Sequence, residues 1–499
     1  MKNNKILLIQ PPMTLLKNEM PSVTFPLGIA YIAGYLEKKG FDVSVIDCVV
    51  LGQDRPKQSK GTIHFGIYWD EIEERIREIA PDVVGVSCLF SSQAHNAHKV
   101  AEIVKKIAKE QKKNIHVVFG GAHPSSVPES VLKDRNVDAA ILGEGEETFY
   151  QYVKNINSPD KLKQLDGFGF KFGGKQIINP KTKFIEDLDK LPFPARHLFP
   201  MELYFSAEFG HGVDKMREPI SSMITSRGCP RNCVFCSIHC VWGRQYRTRS
   251  AKNVADEIEL LVKKYGVREI HFEDDNLTLN KQRTIEICKE IIRRKLDIKW
   301  TTPNGVALWT LDRKVLGYMK KAGCYKLCFG IESGDPETQK FIKKIIPLEM
   351  AKEVIKEANK IGIWTHGFFV IGFPFETKKS MDNTLKFAIK SDLDFASFFL
   401  ATPYPKTELY NIMRQKKMIK DISWDSLRVS SSSIRTKYFT SKQLQKIQTS
   451  MFMKFVIFRF INFLNPVKFW YRIKRMKSKE DFKFVMRFFN RFLQILGGK

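Results

Sequence analysis

The feature that most restricts how this chain can fold is a rhythm. Over roughly its first 150 residues, short β-rich apolar runs alternate with stretches whose apolar residues recur at helical spacing. "KILLIQPP" (5–12) ends in a proline turn, "PLGIAYIAGYLEKKG" (26–40) reads as a helix closing on Gly40, and "FDVSVID" (41–47) is again a strand. "WDEIEERIREIA", "DVVGVSCL", "AHKVAEIVKKIAKEQ", "IHVVFGG", "ESVLKD" and "AAILGEG" carry the alternation on. Strands joined through helices pair in parallel, so residues 1–156 are expected to form a doubly wound, Rossmann-like α/β sheet. Such sheets bind ligands at the carboxyl ends of their strands, where "SCLFSSQ" (87–93), "GGAHPS" (120–125) and "GEGEET" (143–148) lie.

Residues 157–220 lack sustained periodicity, and "LDKLPFPARHLFP" (188–200), with three prolines, reads as an extended linker. A second series then begins. "SSMITS", "REIHFEDDN", "IKWTTPNG", "CYKLCFGIESG", "WTHGFFVIGFP" and "FASFFLATPYP" are strand-like and separated by helical stretches. Six strands in this order predict a TIM-type barrel, or a partial (β/α)6 version of one, over 221–425, with its active site at the C-terminal strand ends. Residues 426–499 pass through a polar loop into a basic, mostly helical extension. Two or three domains also suit 499 residues, which exceed what one core usually supports.

"SRGCPRNCVFCSIH" (226–239) places Cys229, Cys233 and Cys236 in one loop after the first strand of the second series, with Cys240 just beyond. The N-terminus, "MKNNKILLIQPP", has too short an apolar run for a signal peptide, and no stretch approaches the ~18 apolar residues of a membrane span. A cytoplasmic location is therefore expected, where clustered cysteines are ligands or catalytic groups and not disulfides. C-x3-C-x2-C can converge on an iron–sulfur cluster and leaves one iron position open for chemistry. Zinc is the alternative, with Cys240 or His239 as a fourth ligand, although zinc knuckles usually pair two C-x2-C halves. Cys48, Cys88, Cys288, Cys324 and Cys328 sit in apolar or strand contexts and read as core.

"CPRNCVFC" resembles the signature of the radical S-adenosylmethionine (SAM) enzymes, with Phe235 before the last cysteine. The resemblance implies a [4Fe–4S] cluster on Cys229, Cys233 and Cys236, with SAM chelating the unique iron. It also implies an electron donor such as flavodoxin or ferredoxin, reductive cleavage of SAM, and hydrogen abstraction from an unactivated carbon by the 5′-deoxyadenosyl radical. Cys240 falls outside the pattern and is read as structural. "HFEDDN" (271–276) resembles the segment that places polar groups near SAM, with Glu273, Asp274 and Asp275 as candidates. "GIESG" (330–334) resembles a strand-end SAM motif, with Glu332 and Ser333 as candidates, and "GFFVIGFP" (367–374), with Gly372, resembles the strand passing the adenine. Taken singly, acids at strand ends often only cap the next helix.

The first unit resembles the cobalamin (B12)-binding domain of one branch of that family in "PLGIAYIAGYLEKKGFDVSVID", "GGAHPS", "GEGEETF" and "LPFPARHLF", so the likeness spans about residues 5 to 410. It implies cobalamin held by Ser87, Gly120, Gly121, His123, Gly143 and Glu144, with Ser91 nearby. The chain departs from the D-x-H-x-x-G motif that many cobalamin domains carry after the first strand. It has "QPPMTLL" there, and the echo "DCVVLG" (47–52) puts Val49 where the ligand would stand. A nucleotide or flavin would suit the same architecture, but G-x-G-x-x-G is not met in strand–helix context.

The function so implied is C-methylation of an unactivated carbon of a small molecule. The related alternative is cyclisation or oxidation without methyl transfer, as in the anaerobic porphyrin-ring cyclases. A tRNA methylthiotransferase would need three more cluster cysteines in its N-terminal domain, and here only Cys48 and Cys88 are offered. A zinc-stabilised nucleic-acid-binding protein is the non-enzymatic rival. The net charge of +28 is uneven: residues 451–499 hold twelve basic and two acidic side chains. That tail interleaves Phe, Ile and Leu with Lys and Arg. It reads equally as a membrane-surface element or lid for a lipid-like substrate, or as a helical subdomain packed on the barrel with solvated lysines. Its aromatics suit burial better than stacking on bases, which argues against nucleic acid. Asn304, Tyr404 and Trp424 are candidates for the substrate pocket.

Overall fold

The computed structural model describes all residues except 1–3, 18, 20, 60, 208–214, 420–422, 429–433, 467–472, 477 and 497–499. Parts of the expected linker and of the expected basic tail lie outside the described residues.

Five strands of the first unit are parallel, in the order Asp42–Asp47, Lys5–Gln10, Val83–Ser87, His116–Gly120, Ala139–Ile141. Both faces are covered by helices, so the strands are apolar on both sides and almost fully buried, which is why they read as continuous apolar runs. One face packs on helices Trp69–Ile79 and Ala94–Glu110, the other on Leu27–Lys38 and Glu146–Lys154. The strand order reverses between Lys5–Gln10 and Val83–Ser87, so the loops after these strands open on the ligand-binding edge.

The span expected to be a linker is partly sheet. Strands Phe168–Phe172 and Lys175–Asn179 form a hairpin that extends the sheet antiparallel beyond Ala139–Ile141. Its turn is Gly173–Gly174, both at positive φ (56° and 74°), where glycine avoids the Cβ clash. A second unanticipated piece is the small antiparallel sheet of Met13–Leu16, Thr62–Phe65 and Lys57–Ser59, so "QPPMTLL" is partly a strand.

The second unit is the expected six-stranded parallel arc: Ile220–Met223, Glu269–Phe272, Lys299–Val306, Cys324–Glu332, Trp364–Ile371 and Phe395–Leu400, in sequence order. In the last two strands the outward positions are buried in the core while His366, Phe368, Val370, Ser397 and Phe399 are half-buried and face the lumen.

The tail belongs in part to this barrel. Helix Ser441–Leu464 lies on the sixth strand, with Gln448 Nε2 donating to Phe398 O (2.6 Å) and Leu444, Met451, Phe455 and Val456 in the core. Phe484, in helix Lys479–Leu496, is 2% exposed and packs against Tyr325, Trp364 and Phe395 at the N-terminal strand ends, closing the bottom of the barrel. Arg475 forms a buried pair with Asp394 (2.9 Å), and Arg459 donates to Ala388 O and Ile389 O. Among the described residues no helix is long and apolar enough to cross a membrane.

Candidate active site

The cysteine loop leaves the first barrel strand through a narrow neck. Ser226–Arg227 pairs antiparallel with Arg247–Thr248, so the segment between them is a loop tied at its base. Asp274 holds that base: its carboxylate accepts from Thr225 N (3.0 Å), Thr225 Oγ1 (2.7 Å) and Ser226 Oγ (2.5 Å). Gly228 is obligatory here, because at φ 84° a Cβ would lie 2.2 Å from Gln245 O.

The middle of the loop is pinned by Val234, 1% exposed between Cys233 and Phe235. Its N–H donates to Ile342 O (3.3 Å) and its carbonyl accepts from Leu409 N (2.8 Å), so elements after the fourth and sixth strands fix it. Phe235 packs on Phe373 (centroids 6.1 Å), next to Gly372. Cys229, Cys233 and Cys236 are partly exposed on this loop. Burial pushes the Cys233 and Cys236 thiols up, Cys236 to about 12, with the other loop cysteines and Asp275 adding to the shift at Cys236. Thiols so placed need a metal's charge to ionise them. Among the described residues no three His, Cys, Asp or Glu side chains stand in a tight, preformed metal grouping. The donor chemistry is nonetheless that of a three-thiolate cluster. Cys240 hydrogen-bonds Ser126 and feels the Lys406 charge, contacts that suit a structural role.

Around the loop the candidate acids separate. Glu273 accepts from Ser222 Oγ and Asn304 Nδ2 (both 3.2 Å) and remains partly open. Asp274 is the buried anchor just described. Asp275 is half-buried near Cys236, its carboxyl raised to about 7 by burial and by Asp274. Ser333 is fully buried, bonded to Thr384 Oγ1 (3.1 Å) and Asp335 N (3.1 Å). Glu332 sits at φ 66° and pairs with Lys344 (2.7 Å). Strain at a non-glycine residue of this kind concentrates at functional sites. Burial opposes the Lys344 charge, but Glu332 and the thiols of Cys233 and Cys236 more than offset it, so its pKa is raised. Gly330 makes room for this pair, since a Cβ there would lie 2.7 Å from Lys344 Nζ and 2.8 Å from Glu332 Oε1. Lys344 escapes a reading of the sequence because "KFIKKII" looks like an ordinary solvated stretch. Glu376 escapes it too: 1% exposed, it accepts from Phe373 N (2.9 Å) and so holds the turn after Gly372, its carboxyl raised to about 8 by burial.

The ligand-binding edge of the first unit faces this loop. Helical turn His239–Trp242 of the cysteine loop packs on Ala122–Ser126, and Lys406 Nζ donates to Ser125 O (3.1 Å). Ser87, Gly120, Gly121, His123 and Gly143 all lie at the strand ends, as expected. Gly121 (φ 111°) is required by a tight turn, whereas a Cβ on Gly120 would meet nothing within 4 Å, leaving an open rim. Leu89 and Phe90, more than half exposed, stand beside it and suit the face of a broad macrocycle. His123 is buried, with Nδ1 on Ser91 Oγ (2.9 Å) and its ring edge-on to Trp424, so Trp424 covers this rim instead of the barrel lumen. Glu144, also a candidate, is not on the open rim: it is 2% exposed and bonded to Arg227, Arg247 and Ile185 N. Cys48 and Cys88 are buried, so this unit offers no second cluster.

A three-thiol loop at the mouth of a parallel half-barrel, facing the open edge of a doubly wound domain, defines the class: a radical SAM enzyme with a cobalamin-type domain set against its cluster. Residues 13–153 match the B12 binding domain family and residues 223–388 the radical SAM superfamily. The chain is 35% identical to an uncharacterized methyltransferase of Pyrococcus horikoshii, PH0819, over 92% of its length and 93% of the relative's. It is 34% identical to the cytidylyl-2-hydroxyethylphosphonate methyltransferase of Streptomyces wedmorensis, over 81% and 80%. The radical SAM methyltransferase TsrM of Kitasatospora setae, solved with cobalamin and a [4Fe–4S] cluster bound, shares the fold at a TM-score of 0.66 and 17% identity, over 84% of this chain and 76% of that one. The chain belongs to the cobalamin-dependent radical SAM family. Its first unit is thus a B12-binding domain and its second a radical SAM domain.

Proposed function

We propose that this enzyme transfers a methyl group from SAM, by way of cobalamin, to an unactivated carbon of a small molecule held in the barrel mouth. The observation that carries the reading is the packing of the cysteine loop, through His239–Trp242, onto Ala122–Ser126 at the cobalamin edge. When bound, the cluster and SAM supply hydrogen abstraction and cobalamin supplies the methyl group.

The chain's own groups position these partners. Cys229, Cys233 and Cys236 hold the cluster while Val234 keeps their loop in place. Lys344 and Glu332, one cation and one anion beside the thiols, are complementary to the carboxylate and amine of SAM's methionine part. Glu273 and Asp275 stand at the end of the second barrel strand, Asp275 beside Cys236, and Phe235 with Phe373 walls the site beside Gly372. The rim of Ser87, Gly120 and Gly121 takes the corrin and its tail, with His123 supporting it from beneath, whereas Gly143 is buried under Lys181 and Val241 and does not line it.

The half-buried His366, Phe368, Val370 and Phe399 give the lumen an aromatic and apolar wall, which supports a substrate with a hydrophobic body. A lipid-like substrate drawn from a membrane surface is supported by Ile457, Phe460, Ile461, Phe482 and Met486, all exposed on the two tail helices among basic residues. The strongly positive chain also suits an acidic electron carrier of the flavodoxin or ferredoxin type.

The test is anaerobic turnover of metabolite extracts with SAM labelled in its methyl group. A product carrying the label, formed with 5′-deoxyadenosine, supports methyl transfer. A modified product without label, formed with 5′-deoxyadenosine, overturns it in favour of cyclisation or oxidation. For the membrane reading, Phe460→Asp with Ile461→Asp should abolish binding to anionic liposomes. Unchanged binding would remove it.

A further inference from the structure

The neck of the cysteine loop poses an electrostatic problem. Arg227 and Arg247 are direct cross-strand partners, each 4% exposed or less, so two guanidinium groups face each other in a buried ribbon. Like charges directly opposite on a ribbon are destabilising, and burial strengthens their repulsion. Both are neutralised by the first unit. Glu144 Oε1 accepts from Arg227 Nη1 (3.1 Å) and from Arg247 Nη1 (2.7 Å), and Glu146 Oε1 accepts from Arg227 Nη2 (2.6 Å). All four side chains are at most 4% exposed. Arg247 also donates to Ile185 O and Trp242 O (both 2.7 Å), while the Arg227 guanidinium lies over the Trp242 ring at 4.6 Å. Trp242 ends the helical turn that packs on Ala122–Ser126, so the same network reaches the cobalamin edge by a second route.

We propose that Glu144 and Glu146 are positioning residues that set the distance between the cluster and cobalamin. Glu144 lies on the loop after the last parallel strand of the cobalamin domain and Glu146 opens the helix that follows it, and together they hold Arg227, two positions before Cys229. Glu144 is shared by both arginines, so it alone can close the ribbon, and Glu146 fixes the angle at which Arg227 leaves it. The cluster loop is thereby docked on the cobalamin domain by four compensating buried charges and not by apolar contact alone. A salt bridge is directional and an apolar face is not, so the charges fix a register that packing would leave free to slide.

The experiment uses the full chain loaded with cluster and cobalamin. Glu144→Gln and Glu146→Gln keep shape and remove charge, Glu146→Asp keeps charge, and Asp394→Asn breaks the buried pair with Arg475 at the far end of the barrel as a control for general destabilisation. The readout is the magnetic dipolar coupling between the reduced cluster and cob(II)alamin, measured by pulsed electron paramagnetic resonance, which reports their separation and its spread without any substrate. Both Gln variants should broaden or shift that distance distribution, while Glu146→Asp and Asp394→Asn keep it close to the parent. With turnover followed alongside, the step joining the two cofactors should fall about tenfold relative to 5′-deoxyadenosine formation, as a misplaced reacting group requires. An unchanged distribution in both Gln variants, or an equal broadening in Asp394→Asn, overturns the proposal. If a Gln variant fails to load, Glu146→Asp decides instead: the shorter side chain should leave loading intact, and a distribution as broad as that of a loaded Gln variant would count against a role for the charge.

Discussion

Glu376 should make the barrel less stable as pH rises, and removing its charge should cure this. The carboxyl is 1% exposed, and burial lifts it from 4.5 to about 8. In the unfolded chain it ionises near 4.5. Between those values the unfolded state has released a proton that the folded state still holds, so each pH unit lowers stability by about 1.4 kcal/mol. The stabilisation is full below 4.5, is lost as pH climbs to about 8, and is level above. From about pH 5 to about pH 8 the loss sums to about 4 kcal/mol, an upper figure because the group can relax toward water. Glutamine in its place mimics the protonated acid, and the amide oxygen can still accept from Phe373 N. The measurement is the barrel's melting temperature for parent and Glu376→Gln across that range, in which other titrating groups cancel. The variant should gain on the parent by roughly 10 °C between the two ends. A gap that stays constant with pH would refute both the buried-acid reasoning and its sign.

Alanine at Cys229, Cys233 or Cys236 should each abolish iron retention and the brown chromophore after anaerobic reconstitution, whereas Cys240→Ala should retain both, as read by iron analysis and absorbance. Lys344→Met strands Glu332 beside the thiols. It should cost about 2–3 kcal/mol of barrel stability and weaken SAM binding, checked by denaturant unfolding and by equilibrium dialysis of labelled SAM. Phe484→Ala should remove about 3–5 kcal/mol of local stability and free the last helix, seen as early proteolytic cleavage after residue 477 with the remaining barrel intact. Arg475→Met should loosen the same helix by removing the guanidinium that pairs with the buried Asp394.

The parallel strands are legible in the sequence because burial on both faces demands continuous apolar runs, and the cluster loop because ligand spacing is a covalent fact. The hairpin at 168–179 is equally written there: "FGFKF" and "KQIIN" flank Gly173–Gly174, a two-residue turn signal hidden inside a stretch without sustained periodicity. The three-stranded sheet has no such signal, because Met13–Leu16 finds its partner Thr62–Phe65 only through tertiary packing. Among the site residues, the sequence does not separate Glu273, Asp274 and Asp275, since which acid caps and which stays open depends on what folds beneath it. Asp274 is claimed by Thr225 and Ser226. Glu144 departs from its expected place on the rim for the same reason, its two arginine partners lying more than eighty positions away. Lys344 and Val234 matter through contacts made across strand ends, which no local pattern marks.

Phe484, wedged among Tyr325, Trp364 and Phe395, stoppers the lower end of the lumen. Molecular traffic is then confined to the mouth beneath the first domain and to the unpaired flank of the six-stranded arc. Among the described residues this aromatic plug stands between a reactive species formed near the thiols and water below the barrel. Substrate and product are thereby left to share the mouth and the flank, with no way through the floor past the described aromatic plug.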